Sequence, residues 1–436
     1  MHYYSTRNKN EKAGFTKAAL TGLAPDGGLY VPEEIPRFSA TVKPSLGTMA
    51  YAEIALETIK PWVIGDVPPG ILGEMIHDAY PFEVPLAAAA DRLVLELFHG
   101  PTAAFKDFGA RFMARVFSYL RRGEDRPLTI LTATSGDTGG AVADGFFGIE
   151  GITVYVLYPK GRISELQEKQ IAGLGENIRA LAVEGSFDDC QRLVKEAFND
   201  RELGRRLALA SANSINVARL IPQIVYYAAA AGKIFSGVAG AVTSRGAALP
   251  AVFSVPSGNF GNLTAGLYAL EMGAPIKKFI AATNINRTVP DYLEKGFYEA
   301  RISEATISNA MDVGAPSNFE RMSARFSLER MRDLITGVWV SDEETRGIIR
   351  EVFAGGYCLD PHTAVGWKAA DKLIEKGVLK TEGLAVVATA HPAKFAEVLE
   401  PLVGPVSLPL SLKNVMERKI RNRIIPAEYG ALKDSL

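Results

Sequence analysis

Leu128-Thr129-Ile130-Leu131-Thr132-Ala133-Thr134-Ser135-Gly136-Asp137-Thr138-Gly139-Gly140 begins as an apolar, β-compatible run and breaks into a glycine-rich turn. Helical spacing follows through Phe147, and Ile152 to Tyr158 is a second, β-branched strand closed by Pro159-Lys160-Gly161. A strand–helix–strand unit of this length calls for a right-handed crossover between parallel neighbours. The same alternation extends to both sides. Upstream, Leu93 to Leu97 reads as a short buried strand, and Phe108, Phe112, Val116, Phe117 and Leu120 recur at helical spacing. Downstream come a helix over Ile163–Ala172, a strand near Ile178–Val183, a helix over Phe187–Phe198 and a short strand at Leu207–Ala210. Val217 to Ile234 is helical, with Pro222 predicting a kink or a late start.

The Gly/Ala/Ser-rich stretch Ser236–Pro250 reads as a linker or surface excursion, after which the alternation resumes. Val252–Val255 and Phe279–Thr283 are strands around a helix over Leu263–Met272. Ser341 can cap a helix over Asp342–Phe353, with Glu344 in capping-box position. Leu384–Ala388 is a last buried strand and Pro392–Leu399 a last helix. The pattern predicts an α/β protein whose mostly parallel sheet is covered on both faces. Ahead of Leu93 the chain carries Pro25, Pro32, Pro36, Pro44, Pro61, Pro68, Pro69, Pro81 and Pro85, so an irregular N-terminal region is expected.

At 436 residues two or three domains are expected, and 47% hydrophobic with 22% charged residues is an ordinary globular composition. The net charge of −1 gives no electrostatic reason to expect nucleic acid or an anionic membrane as partner. No apolar run reaches the ~20 residues that span a bilayer. The run Met1–Arg7 lacks the apolar core of a signal peptide. Two cysteines, Cys190 and Cys358, fit a reducing compartment and read as buried hydrophobes. Five scattered histidines and no cysteine pair make a zinc site unexpected. A cytoplasmic protein is expected.

Ligands of open parallel sheets bind beyond the carboxyl ends of the strands, and three turns fall there. Lys106, in Phe98-His99-Gly100-Pro101-Thr102-Ala103-Ala104-Phe105-Lys106-Asp107-Phe108, sits between a strand and a helix. Its amine is a candidate for chemistry; the plain alternative is a surface lysine on a helix's first turn. Ser257-Gly258-Asn259-Phe260-Gly261-Asn262 also follows a strand and opens a helix, where converging N–H groups suit a phosphate. It could equally be a tight turn with two Asn caps, and it spells neither a Walker A loop nor GxGxxG. Ser135, Gly136, Asp137 and Thr138 offer hydroxyls and a carboxylate at a helix entrance, suited to a substrate anion or to simple capping. Asn213-Ser214-Ile215-Asn216-Val217-Ala218-Arg219 gathers two amides, a hydroxyl and a guanidinium with the fork geometry for phosphate. Thr389 ends the last strand. His99, His362 and His391 read as structural hydrogen-bonders, and the charge-rich tail Lys413–Arg423 as a solvated helix face.

Taken together these residues resemble the threonine synthases, fold-type II pyridoxal-phosphate enzymes, in their longer bacterial and fungal form. The resemblance rests on Tyr4–Arg7, Gly22–Pro32, His99–Phe108, Thr134–Gly139, Asn213–Gln223, Ser257–Asn262, Met311–Arg321 and Asp360–Val365, in that order along the chain. It implies a tryptophan synthase β-like fold of two open, mostly parallel sheets covered by helices. The implied division is 1–92 as an N-terminal region, 93–130 with 220–436 as the larger cofactor domain, and 131–219 as a smaller substrate-side domain. By resemblance Lys106 is the Schiff-base lysine for pyridoxal 5'-phosphate. Ser257, Gly258, Asn259, Phe260, Gly261 and Asn262 hold the cofactor phosphate, Thr389 meets the pyridine nitrogen and Asp137 the phenolic oxygen. Many relatives carry Asn at that position, so the charge state of Asp137 is left open. The implied substrate is O-phospho-L-homoserine, which loses phosphate by γ-elimination and gains water at Cβ to give L-threonine. Its phosphate contacts map onto Thr134, Thr138, Asn213, Ser214 and Arg219, and its carboxylate lies near Ser135 and Gly136. A monomer or homodimer is expected.

Two other functions fit parts of the pattern. One is a different fold-type II lyase, such as a threonine dehydratase or a phospholyase; the Asn213–Arg219 cluster favours a phosphorylated substrate over plain threonine. The other is a non-catalytic module that uses the glycine turns to bind a nucleotide or phosphate.

Overall fold

The computed structural model describes residues 1–238 and 249–436, so residues 239–248 of the expected linker lie outside the described residues. Three short strands open the chain: β1 (Tyr3–Ser5), β2 (Lys12–Ala13) and β3 (Tyr30–Pro32), paired antiparallel in the order β2-β1-β3. Then come β4 (Leu86–Ala89), β5 (Arg92–Glu96), β6 (Leu128–Ala133), β7 (Ile152–Pro159), β8 (Ile178–Glu184) and β9 (Ala208–Ser211). The last five are β10 (Ala251–Pro256), β11 (Ile276–Thr283), β12 (Ile335–Trp339), β13 (Leu384–Ala388) and β14 (Asn422–Pro426).

Two parallel sheets carry the fold. One has six strands in the order β12-β11-β10-β13-β5-β4, parallel except for the β4–β5 edge pair. The other has five, all parallel, in the order β14-β8-β7-β6-β9. Every residue of β6, β10 and β13 is buried, as strands covered on both faces must be, which explains why they read as unbroken apolar runs. The sheets are linked by the helix Lys106–Leu120, which leaves β5 and packs on the helix Asp137–Phe146 of the other sheet. Gly145 permits that approach: a Cβ there would lie 3.0 Å from the backbone carbon of Ala110.

Three features depart from the expectation, and one, the break at Pro222, follows it. The N-terminal region is built rather than irregular, with helices over Phe15–Thr21, Tyr51–Ile59 and Pro69–Ala79. Proline is tolerated in a helix's first turn, where its missing N–H has no intrahelical partner to lose, and Pro69 occupies such a position. The region shares the main core: Trp62 stacks on Tyr268 with ring centroids 5.6 Å apart, and the Tyr3 hydroxyl donates to the Trp62 carbonyl at 2.9 Å. Pro222 divides the long expected helix into Val217–Leu220 and Gln223–Phe235. Helix Pro361–Glu375 was not foreseen, although Asp360 caps it and proline stands at its start. The tail Lys413–Arg423 is only partly helical, over Leu410–Met416, and runs into β14. That strand pairs with β8, joining a segment expected with the larger sheet to the smaller one, because Ile425 completes an apolar cluster with Leu181 and Val183. Among the described residues no helix is long and apolar enough to cross a membrane.

Candidate active site

Lys106 is the first residue of its helix, and the loop before it is stitched to the end of β13. Phe105 N–H donates to the Thr389 carbonyl at 2.8 Å and His391 N–H to the Ala103 carbonyl at 3.0 Å. Lys106 and Thr389, 283 positions apart in sequence, thereby share one wall. Asp107 anchors the loop from inside, accepting from the Thr102 N–H at 3.0 Å and from its hydroxyl. Gly100 is required there, since a Cβ would meet Asp107 Oδ2 at 2.3 Å. Burial pushes the Asp107 carboxyl up to about 7.

Lys106 Nζ reaches Asp137 Oδ2 at 3.4 Å. The other oxygen of Asp137 accepts from Gln167 Nε2 at 3.0 Å and lies 3.0 Å from the Nζ of Lys394. Burial works to raise the Asp137 carboxyl, but Lys394 and Lys106 outweigh it and hold it well below the usual carboxylate range. The two lysines thus favour the carboxylate form of Asp137 in the chain alone. For Lys106, burial lowers the ammonium's pKa despite the attraction of Asp137. Sequence reading missed both Lys394 and Gln167. Gln167 had a signal, as it stands three residues after Ser164 in a capping box. Lys394 had none beyond its closeness to the end of β13.

The two glycine turns differ. In Thr134–Gly139 the Thr134 hydroxyl accepts from the Gly136 and Gly139 N–H groups at 3.0 and 2.9 Å and donates to the Gly136 carbonyl at 3.1 Å. Its hydrogen-bonding capacity is spent on the turn itself. Gly136 adopts φ +144°, and a Cβ there would strike the Gln167 amide at 2.5 Å. In Ser257–Asn262, Phe260 takes the left-handed φ of +60° at the entrance of helix Gly261–Met272. Gly258 backs onto Ala310, whose carbonyl would lie 2.8 Å from a Cβ. Asn262 Oδ1 accepts from the Tyr226 and Tyr227 hydroxyls at 2.6 and 2.8 Å, and its buried Nδ2 has no partner. Ser257 donates its hydroxyl to the Val255 carbonyl at 2.8 Å, and Asn259 Oδ1 accepts from the Ser317 N–H.

Arg219 is almost fully buried, and among the described residues it has no salt-bridge partner. One amino group donates to the Ala212 carbonyl, while Nε is unpartnered. Burial lowers its pKa to about 10. Gly109 lets this guanidinium cross the Lys106 helix, because a Cβ would lie 2.8 Å from Nε. Asn216 caps the Arg219 helix through the Ala218 N–H, and Asn213 accepts from the Thr132 hydroxyl.

Lys106, Asp137, Gln167, Thr134, Arg219 and the turn Ser257–Asn262 face one cavity of about 1160 Å3 that also includes Ser135, Thr138, Asn213, Ser214 and Thr389, whereas Gly136, Asp107 and Lys394 do not line it. His362 borders it as a structural hydrogen-bonder, with Nδ1 2.8 Å from Asp360 Oδ1 and Nε2 accepting from the Ala310 N–H. His99 pairs with Glu96 at 2.7 Å. A buried amine, an anion-seeking guanidinium and an amide with unused N–H capacity suit pyridoxal 5'-phosphate beside a second anion. The residues present therefore fit that cofactor.

Comparisons with known proteins agree. Residues 2–80 match the family described as threonine synthase N terminus, residues 91–391 the pyridoxal-phosphate dependent enzyme family, and residues 363–435 the threonine synthase C-terminal family. The chain is 42% identical to the threonine synthase of Escherichia coli over 99% of its own length and 98% of the relative's. It is 43% identical to that of Haemophilus influenzae, covering 94% and 93%. The crystal structure of threonine synthase from Escherichia coli superposes with a TM-score of 0.89 at 40% identity, covering 100% of this chain and 99% of that one. The pyridoxal-phosphate-bound threonine synthase from Brucella melitensis gives 0.89 at 37% identity, covering 100% and 98%. A tomato threonine deaminase shares the fold alone, at 16% identity and a TM-score of 0.57. The chain belongs to the threonine synthase family of pyridoxal-phosphate-dependent enzymes.

Proposed function

We propose that this threonine synthase acts on O-phospho-L-homoserine and water, releasing L-threonine and inorganic phosphate, with Lys106 as the reactive amine. The observation that carries the substrate assignment is Arg219: a buried guanidinium with an unpartnered Nε, lining the same cavity as Lys106. A buried cation without a counter-ion is costly unless a ligand supplies the anion. Pyridoxal 5'-phosphate, held on Lys106, supplies the electron sink for charge developing along the substrate carbons.

The chain's residues divide the remaining work. Asn262 Nδ2 and the N–H groups of the turn Ser257, Gly258, Asn259, Phe260 and Gly261 would hold the cofactor phosphate, with Thr389 at the pyridine nitrogen and Asp137 at the phenolic oxygen. Arg219, Asn213, Ser214 and Thr138 would bind the substrate phosphate, which leaves with the Cγ–O electron pair. Ser135 would orient the carboxylate, and Gly136, whose N–H and carbonyl both bond the Thr134 hydroxyl, would shape the turn that presents it. Thr134, its hydroxyl already saturated, is assigned to shaping the turn from which those groups reach the cavity. Lys106, whose burial favours the neutral amine, removes and returns protons at Cα, Cβ and Cγ, and water adds its oxygen at Cβ.

The test is product stoichiometry with O-phospho-L-homoserine. One threonine per phosphate supports the assignment. Phosphate accompanied by a keto acid would instead make the chain a phospholyase, and no phosphate release would remove the substrate assignment altogether.

A further inference from the structure

Lys394 is a buried cation beside the site, with a fully inaccessible side chain. It stands in the turn Pro392–Phe395 that follows β13, and its ammonium makes two hydrogen bonds and one ion pair. The Thr102 carbonyl lies at 2.7 Å, Gln170 Oε1 at 3.0 Å and Asp137 Oδ1 at 3.0 Å. Asp137 is thus held between two lysines, one on each oxygen, and only Lys106 of the two lines the cavity. A buried ammonium needs pairing, and a fold that wanted only a tether between Thr102 and Gln170 could use an uncharged side chain at lower desolvation cost.

We infer that Lys394 is a positioning residue: through Asp137 it fixes the carboxylate toward Lys106, and its own charge opposes protonation of the Lys106 amine. The inference rests on the reading of Lys106 as the reactive amine. Asp137 alone would pair with Lys106 and hold it as ammonium, a poor nucleophile and no base. A second cation on the far oxygen spends that negative charge elsewhere. The other charged or titratable groups facing the cluster are Arg219, Asp107, His362 and His391. Of these, Arg219 acts on Lys106 in the same sense as Lys394.

The experiment reads the amine itself. The full-length chain is freed of cofactor with hydroxylamine, and its fold is checked by circular dichroism and by recovery of the yellow colour on adding pyridoxal 5'-phosphate. The pH midpoint for acetylation of Lys106 by acetic anhydride is then followed by peptide mass spectrometry. Two comparisons are made: the native chain against Lys394→Met, and Asp137→Asn against the double variant Asp137→Asn/Lys394→Met. The second asks the same question without the Asp137 charge, so if one pair does not fold the other is still read. In each, loss of Lys394 raises the midpoint by roughly one to three pH units, the usual effect of a like charge at this range. A midpoint that stays or falls in a folded pair would overturn the inference and leave Lys394 as a structural tether. Because no turnover is measured, a chain that made no threonine would leave this test intact.

Discussion

Two glycine turns, each at the carboxyl end of a buried parallel strand and each opening a helix, face one cavity from opposite sheets. Ser257–Asn262 is a turn with donors to spare: left-handed at Phe260, with an unpartnered Asn262 Nδ2. Thr134–Gly139 spends the N–H groups of Gly136 and Gly139 on the Thr134 hydroxyl and presents a carboxylate, Asp137. The same sequence grammar therefore yields an anion cradle in one sheet and an anion in the other. What separates them is which side chains close the hydrogen bonds of the turn. That is a tertiary matter: two tyrosines from the helix Gln223–Phe235 orient Asn262, while Gln167 and Lys394 converge on Asp137.

Several substitutions would sharpen or break this contrast. Lys106→Ala removes the group both turns serve; turnover should fall at least ~10^2- to 10^4-fold, the usual contribution of a positioned acid–base group. A steady-state rate within tenfold of the native would break the account. Arg219→Ala leaves both turns intact but empties the second anion site. The account expects kcat/KM for O-phospho-L-homoserine to drop by about 2 kcal/mol or more, roughly 30-fold, with cofactor affinity little changed.

The two turns can then be set against each other directly. Asn262→Ala should weaken binding of pyridoxal 5'-phosphate by about 1.5–3 kcal/mol, the value of a hydrogen bond to a charged group, and weaken plain pyridoxal much less. Thr134→Val should do the reverse: little effect on cofactor affinity, but a loss of roughly 1–3 kcal/mol in stability from stranded N–H groups, read by denaturant titration. Equal responses from the two variants would erase the distinction between cradle and carboxylate.

A further effect concerns pH. Asp107 keeps its proton up to about 7 in the folded chain, whereas an unfolded aspartate loses it near ~4. The native state binds more protons across that window, so this group's contribution to stability is full below pH ~4 and is lost as pH rises toward 7. Asp107→Asn should flatten that part of the stability profile; an unchanged slope would show that Asp107 does not titrate there.

The fold was legible where burial acts on both faces of a strand. β6, β10 and β13 announce themselves because every residue in them is apolar or small. β12 and β14 did not, since half-exposed edge strands such as Ile335–Trp339 and Asn422–Pro426 carry no such run. The N-terminal helices were hidden by prolines that in fact stand at starts and turns, as Pro69 does. Of the site, the strand-to-helix turns were legible from their position as candidates, and their roles came only with the resemblance. Lys394 was not, because a buried ion pair spanning 257 residues leaves no trace in local spacing.

Lys106 and Lys394 flank the same carboxylate, and everything above depends on which of the two carries the cofactor. Reducing the yellow protein with borohydride, digesting it and locating the pyridoxyl group by mass spectrometry decides between them. The account predicts the label on Lys106 alone; a label on Lys394 would contradict it.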